Sequence, residues 1–179
     1  GFSSISERMS SQDLLIYLNS YLTVMADIVK DYNGTLDKYI GDAVMSFWGA
    51  PVEQPDHALL ACKCALKQME QLKVFNEGKP RELQIDIGIG ISTGIMTAGL
   101  MGSRNHLNYT LIGDAVNLGS RLEGANKEYY AASQGAGHYS RILISENTFE
   151  EVNDKVIARE LDVVRVKGKQ KPTVIYELI

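Results

Sequence analysis

Residues 83–93 read "LQIDIGIGIST", and from Leu83 to Ile91 they alternate without a slip. Leu83, Ile85, Ile87, Ile89 and Ile91 fall on one side; Gln84, Asp86, Gly88, Gly90 and Ser92 fall on the other. A period of two is that of a strand with one buried face. Two glycines on the second face remove side chains where a neighbouring element comes close. This stretch therefore predicts a sheet with something packed tightly against it.

The other elements follow from the same reasoning. In residues 11–32 a helical stripe gathers Leu14, Leu15, Leu18, Leu22, Met25, Ile28 and Val29, with Ser11 as a cap and Asn33-Gly34 as a stop. Strands are expected at 35–40 and 43–48, joined by Gly41-Asp42. A two-proline loop leads to a second amphipathic helix over 56–74. Thr93-Gly94 turns the chain into a strand at 95–102. Another strand follows at 107–113, and then a helix over 113–127. Residues 129–141, "YYAASQGAGHYSR", are small, polar and aperiodic, and read as a flexible surface excursion. A strand at 141–145, a helix at 145–153 capped by Ser145, and two strands at 158–168 and 173–179 complete the chain. The hairpins predict one α/β domain over 1–179, with a mostly antiparallel sheet carrying helices.

The chain has 179 residues, 45% hydrophobic and 22% charged, enough for one domain with a full core. Its net charge of −4 does not favour a nucleic-acid or membrane-surface binder. No apolar run approaches the roughly 18 residues of a membrane span, and no signal peptide is evident. Cys62 and Cys64 diverge around a helix, so they read as reduced thiols rather than a disulfide or a shared metal site. His57, His106 and His138 show no ligand spacing, and no Ser-His-Asp set, Walker loop or Rossmann fingerprint is evident.

Three features could carry chemistry. Asp42, at a strand-to-strand turn, is either a turn former or a ligand for a hard cation such as Mg²⁺. Asn117 and Arg121, four apart, share a helix face. They are either a solvated pair or a site for phosphate and hydroxyl groups. Lys167, Lys169 and Lys171 could gather polyphosphate or simply guard a hairpin tip against aggregation.

In order, "GFSSISE", "YNGTLDKYIGDAVMSFWG", "IGISTG", "YTLIGDAVNLGSRLEG" and "VKGKQKPTVIYEL" resemble the class III nucleotide cyclase catalytic domain, nearly end to end. The Asn-x-x-x-Arg helix after "IGDAV" is the most specific of these motifs. The resemblance implies a ferredoxin-like α/β core and a homodimer with active sites shared between protomers. It also implies in-line attack of a 3′-hydroxyl on the α-phosphorus, assisted by two Mg²⁺ (or Mn²⁺) ions. By it Asp42 matches a metal aspartate, Asn117 the ribose-orienting residue, and Arg121 the residue stabilising the α-phosphoryl charge. Lys167 matches a triphosphate contact, and Phe2 and Ser3 match the phosphate-binding loop.

Lys38 and Thr110 match the purine-reading positions, and lysine with threonine is the adenylate pattern of the bicarbonate-responsive soluble and cyanobacterial type. The chemistry agrees: a lysine donates to adenine N1, an acceptor, whereas guanine N1 is itself a donor. The resemblance implies ATP as the substrate and raises the expectation of bicarbonate activation. The family's catalytic domains work in the cytoplasm, often within larger sensor proteins. Its first metal aspartate, with most of the first strand, would precede Gly1, which implies a partial record of a longer protein. The alternatives are a guanylate cyclase, an inactive cyclase-homology module, and a diguanylate cyclase-like enzyme, whose Gly-Gly-(Asp/Glu)-Glu-Phe turn "YIGDAVM" lacks.

Overall fold

The structure is a computed structural model that describes residues 5–133, 139–164 and 172–179. The chain divides into two compact units, residues 1–87 and 88–179.

In the first unit the apolar stripe becomes helix α1, Ser11–Asp31. Its cap is Ser10, one residue earlier than the sequence suggests. The Ser10 hydroxyl accepts from the Asp13 N–H and donates to the Asp13 carboxylate. The helix stops where expected: Asn33 takes a φ of 57°, and the Gly34 N–H closes on the Val29 carbonyl. Strands β1 (Thr35–Ile40) and β2 (Ala43–Phe47) follow as an antiparallel hairpin. Helix α2, His57–Asn76, comes next. Tyr21, Leu22 and Met25 of α1 pack with Leu72 of α2, Ile5 and Ile85.

The alternating stretch behaves differently from the expectation. Only Ile89–Ile91 is a strand, β3, and Arg81–Leu83 is a single 3-10 turn. The Asn76 side chain takes the place of a ladder partner at Ile85: its amide donates to the Ile85 carbonyl and its oxygen accepts from the Ile85 N–H, at 2.7 and 2.9 Å. The Tyr17 hydroxyl donates to the Leu83 carbonyl at 2.5 Å. Ile85 is nonetheless buried, with Leu83 and Ile87 partly buried against the same core. The alternation thus records burial of one side, and side chains supply the hydrogen bonds that a strand would have made.

In the second unit, strands β4 (Thr97–Ser103) and β5 (His106–Ile112) form a hairpin. Helix α3 (Asp114–Ser133), strand β6 (Ile142–Ser145), helix α4 (Glu146–Val152) and strands β7 (Ala158–Val164) and β8 (Thr173–Leu178) follow. A four-stranded sheet runs β3-β6-β8-β7, with β3 and β6 parallel and the other neighbours antiparallel. The architecture is mixed α+β, and pairing is mostly antiparallel. Ser145 caps α4 as expected, accepting from the Thr148 N–H.

Helix α3 extends six residues past its expected end and absorbs the first part of the segment read as an excursion. Tyr139, on the far side of residues 134–138, is buried and donates to Asn126 Oδ1 at 2.8 Å. Asn126, also buried, donates to the carbonyls of Ile89 and Leu122. The aperiodic composition concealed a polar tie that fixes α3 to β3.

Cys62 and Cys64 are both free and buried in α2, and burial pushes each thiol up to about 12. At neutral pH almost none of either is thiolate, the reactive form. The native protein is expected to leave a thiol reagent such as Ellman's unreacted over minutes. Denaturant should release both thiols, and fast labelling of the native protein would contradict their burial.

Candidate active site

Strands β1 and β2 are joined by a two-residue turn, Gly41-Asp42, with Ile40 opposite Ala43. Gly41 has a φ of 63°, a conformation glycine adopts without steric cost. That turn presents Asp42, which is half-buried. The carboxylate lies close enough to Tyr21 of α1 for its charge to be felt. Burial first, and the Asp42 charge second, push the Tyr21 phenol above its usual range.

Lys38 lies in β1 beside an irregularity that the sequence does not announce. Leu36 pairs with Ser46 and Lys38 with Met45, so Asp37 is an extra residue, a β-bulge. The Lys38 ammonium lies 3.5 Å from Asp37 Oδ2, with side chains 38% and 1% exposed respectively.

In the second unit, β5 leads through Gly113 directly into α3, whose first turn closes with the Asn117 N–H on the Gly113 carbonyl. Asn117 and Arg121 are both exposed, one turn apart. The adjoining stripe, Leu118 and Leu122, is buried against Leu143 and Ile175. The predicted close packing on the glycine face is present, and α3 provides it. A Cβ added to Gly90 would lie 2.3 Å from the Gly119 carbonyl oxygen and 2.4 Å from the Glu123 nitrogen. Backbone thus sits nearly on backbone, which makes α3 a fixed platform for Asn117 and Arg121. Thr110 of β5 is 5% exposed and lies opposite Gly99. No atom lies within 4 Å of the position a Gly99 Cβ would take.

Within the first unit one hairpin carries Lys38 and Asp42, and within the second one strand-helix run carries Thr110, Asn117 and Arg121. Phe2, Ser3 and Lys167 lie outside the described residues, as do Lys169 and Lys171. Sequence reasoning missed Asp37. The residue is plain in "LDKYIGD", but regular alternation would send it to the face opposite Lys38. Only the bulge brings the two together.

Mg²⁺ and Mn²⁺ take carboxylate oxygens and leave room for substrate phosphates. Asp42 offers such a donor on an accessible turn, so the residue fits a shared site of this kind. Among the described residues no group of three or more His, Cys, Asp or Glu side chains is arranged to hold a metal ion. The donors beyond Asp42 would then include phosphate oxygens.

The family model described as the adenylate and guanylate cyclase catalytic domain matches residues 1–178. Adenylate cyclase 1 of Rhizobium meliloti is 33% identical over 180 residues, covering 99% of this chain. The chain spans only 26% of that relative's length. Among solved structures, the adenylyl cyclase CyaB from P. aeruginosa superimposes with a TM-score of 0.84 at 34% identity, covering 100% of this chain and 88% of that one. The guanylyl cyclase Cya2 gives 0.82 at 32%, covering 99% and 86%. With the motif residues on a hairpin turn and an exposed helix face, and the match running from residue 1 to 178, the chain belongs to the adenylate and guanylate cyclase catalytic domain family.

Proposed function

We propose that this domain is an adenylate cyclase, converting ATP to 3′,5′-cyclic AMP and pyrophosphate at sites shared between two copies of the chain. The observation that carries the reading is the α3 platform. Asn117 and Arg121 project from one exposed face while the adjoining stripe is locked to the sheet.

Each residue then has a task. Asn117 orients the ribose so that its 3′-oxygen lies in line with the α-phosphorus. That oxygen bonds to phosphorus, the bond to the α,β-bridging oxygen breaks, and the 3′-proton passes to water. Arg121 stabilises the charge on the α-phosphoryl oxygens in the transition state. Lys167 and the backbone at Phe2 and Ser3 hold the triphosphate. Asp42 would hold Mg²⁺ or Mn²⁺, which when bound neutralises phosphate charge and acidifies the 3′-hydroxyl. In each site Asp42 comes from one protomer, and Lys38, Thr110, Asn117 and Arg121 come from the other, so a two-fold homodimer has two equivalent sites.

Similarity of fold does not choose the purine, since an adenylyl and a guanylyl cyclase superimpose about equally well. Lys38 chooses it. Its ammonium donates to adenine N1 and is repelled by guanine N1–H, while the Thr110 hydroxyl accepts from the adenine 6-amino group. Among the described residues no helix is long and apolar enough to cross a membrane. The reading assigns the domain to the cytoplasm, where ATP is made and thiols stay reduced.

The deciding assay offers ATP and GTP separately, with Mg²⁺ or Mn²⁺, to the parent and to Lys38→Glu. The parent should prefer ATP. Lys38→Glu should lose about a hundredfold in kcat/KM for ATP, because a carboxylate then faces an acceptor. Unchanged selectivity would remove Lys38 from the base pocket, and no cyclic product from either nucleotide would favour an inactive module. The same assay with bicarbonate against chloride at matched pH tests activation; equal rates exclude it.

A further inference from the structure

The geometry points to Asp37 as a positioning residue for purine selection, acting through Lys38. This inference rests on the reading of Lys38 as the base-contacting residue.

Neighbouring residues of a regular strand point to opposite faces and cannot pair. Here the bulge sets Asp37 and Lys38 together against Met45, and a bulge re-aims side chains in this way. The consequence is a 3.5 Å ion pair between adjacent residues. Its two members are unequal. The Asp37 side chain is 1% exposed and its Oδ1 atom is shielded from solvent, whereas Lys38 keeps 38% of its side chain accessible. Burying a carboxylate is costly unless a cation attends it, so Asp37 holds the ammonium in place.

A lysine on a four-carbon stem otherwise samples many rotamers, and a donor that must meet one ring nitrogen loses affinity to that freedom. Asp37 removes it. The carboxylate cannot itself read the base, since its side chain is enclosed. It acts on selectivity by fixing where the exposed end of Lys38 points.

The test measures kcat and KM for ATP and GTP in the parent, Asp37→Asn, Asp37→Glu, Lys38→Met and the double variant Asp37→Asn/Lys38→Met. Thermal unfolding is followed for each. Asp37→Asn is expected to raise KM for ATP about tenfold, with kcat within about twofold and GTP kinetics as in the parent. Lys38→Met should weaken ATP use at least as much, and the double variant should be no worse than Lys38→Met alone.

Additive losses overturn the proposal, as does an Asp37→Asn protein that keeps full ATP selectivity while Lys38→Met loses it. Equal falls in kcat for both nucleotides, with a lowered unfolding temperature, make Asp37 merely structural and overturn it too. If Asp37→Asn does not fold, Asp37→Glu carries the test. That variant keeps the charge but moves it, and should show the same rise in KM for ATP to a smaller degree. Failure of both variants to fold overturns the proposal. If Lys38→Met leaves selectivity intact, the base-pocket reading falls first and this inference with it.

Discussion

Asp42→Ala and Arg121→Ala proteins are each expected to make cyclic AMP at least about a hundredfold more slowly than the parent. Mixed in equal amounts and allowed to exchange subunits, they should recover roughly a quarter of the parental rate. The fraction follows from the assignment of residues to protomers. Half of the dimers in a random mixture are mixed. In each of these, one site takes Asp42 from the Arg121→Ala protomer and Arg121 from the Asp42→Ala protomer, and is intact. The other site lacks both. Structural damage from either substitution should be small: Arg121 is exposed on α3, and Asp42 is a half-buried turn residue whose backbone conformation Gly41 sets. Activity that stays at the level of the single variants, after native mass spectrometry has shown that subunits exchange, would refute the shared site. Substantial activity in unmixed Asp42→Ala would instead remove Asp42 from the metal site.

Much of this arrangement can be read from sequence because its cause is local. The apolar stripe of α1 gives a helix over Ser11–Asp31, and Gly41-Asp42 gives the turn between β1 and β2. Asn117 and Arg121 fall four apart beside a buried stripe, so their shared exposure follows from helical geometry alone. The readings that fail depend on distant partners. The strand expected from Leu83 to Ile91 is shortened to three residues because side chains outside it, Asn76 on α2 and the far more distant Tyr17 on α1, satisfy the backbone before it. The excursion expected from residue 129 begins as helix, and the hydrogen bond that ties its far end, Tyr139 to Asn126, joins residues thirteen apart. Asp37 escaped notice because bulges arise from strand register, which needs both strands. Composition and periodicity report which side of an element is buried; they do not report which group supplies each hydrogen bond.

The glycine face of β3 gives the other large expected effect, and one independent of any view of the chemistry. Gly90→Ala should destabilise the protein by about 3 kcal/mol or more, lowering the unfolding temperature by roughly 10 °C. The clash is with the Gly119 oxygen and the Glu123 nitrogen, backbone atoms 2.3 and 2.4 Å from the new carbon, which no rotamer change can relieve. Gly124→Ala, on the same helix, provides the control. Nothing lies within 4 Å of its added carbon, so the substitution should stabilise by about 0.5–1 kcal/mol through helix propensity. The two variants add the same methyl group, so whatever part of their difference exceeds the roughly 1 kcal/mol of helix propensity reports packing. The effect should reach catalysis as well. To admit the Gly90 methyl, α3 must move away from β3, carrying Asn117 and Arg121 with it, and a displacement of about 1 Å at a reacting centre costs about a hundredfold in rate. Folded Gly90→Ala, assayed well below its unfolding temperature, should therefore show a depressed kcat, whereas Gly124→Ala should match the parent. A Gly90→Ala protein as stable and as active as the parent would mean that α3 is not held against β3 as described, and the platform under Asn117 and Arg121 would have to be sought elsewhere.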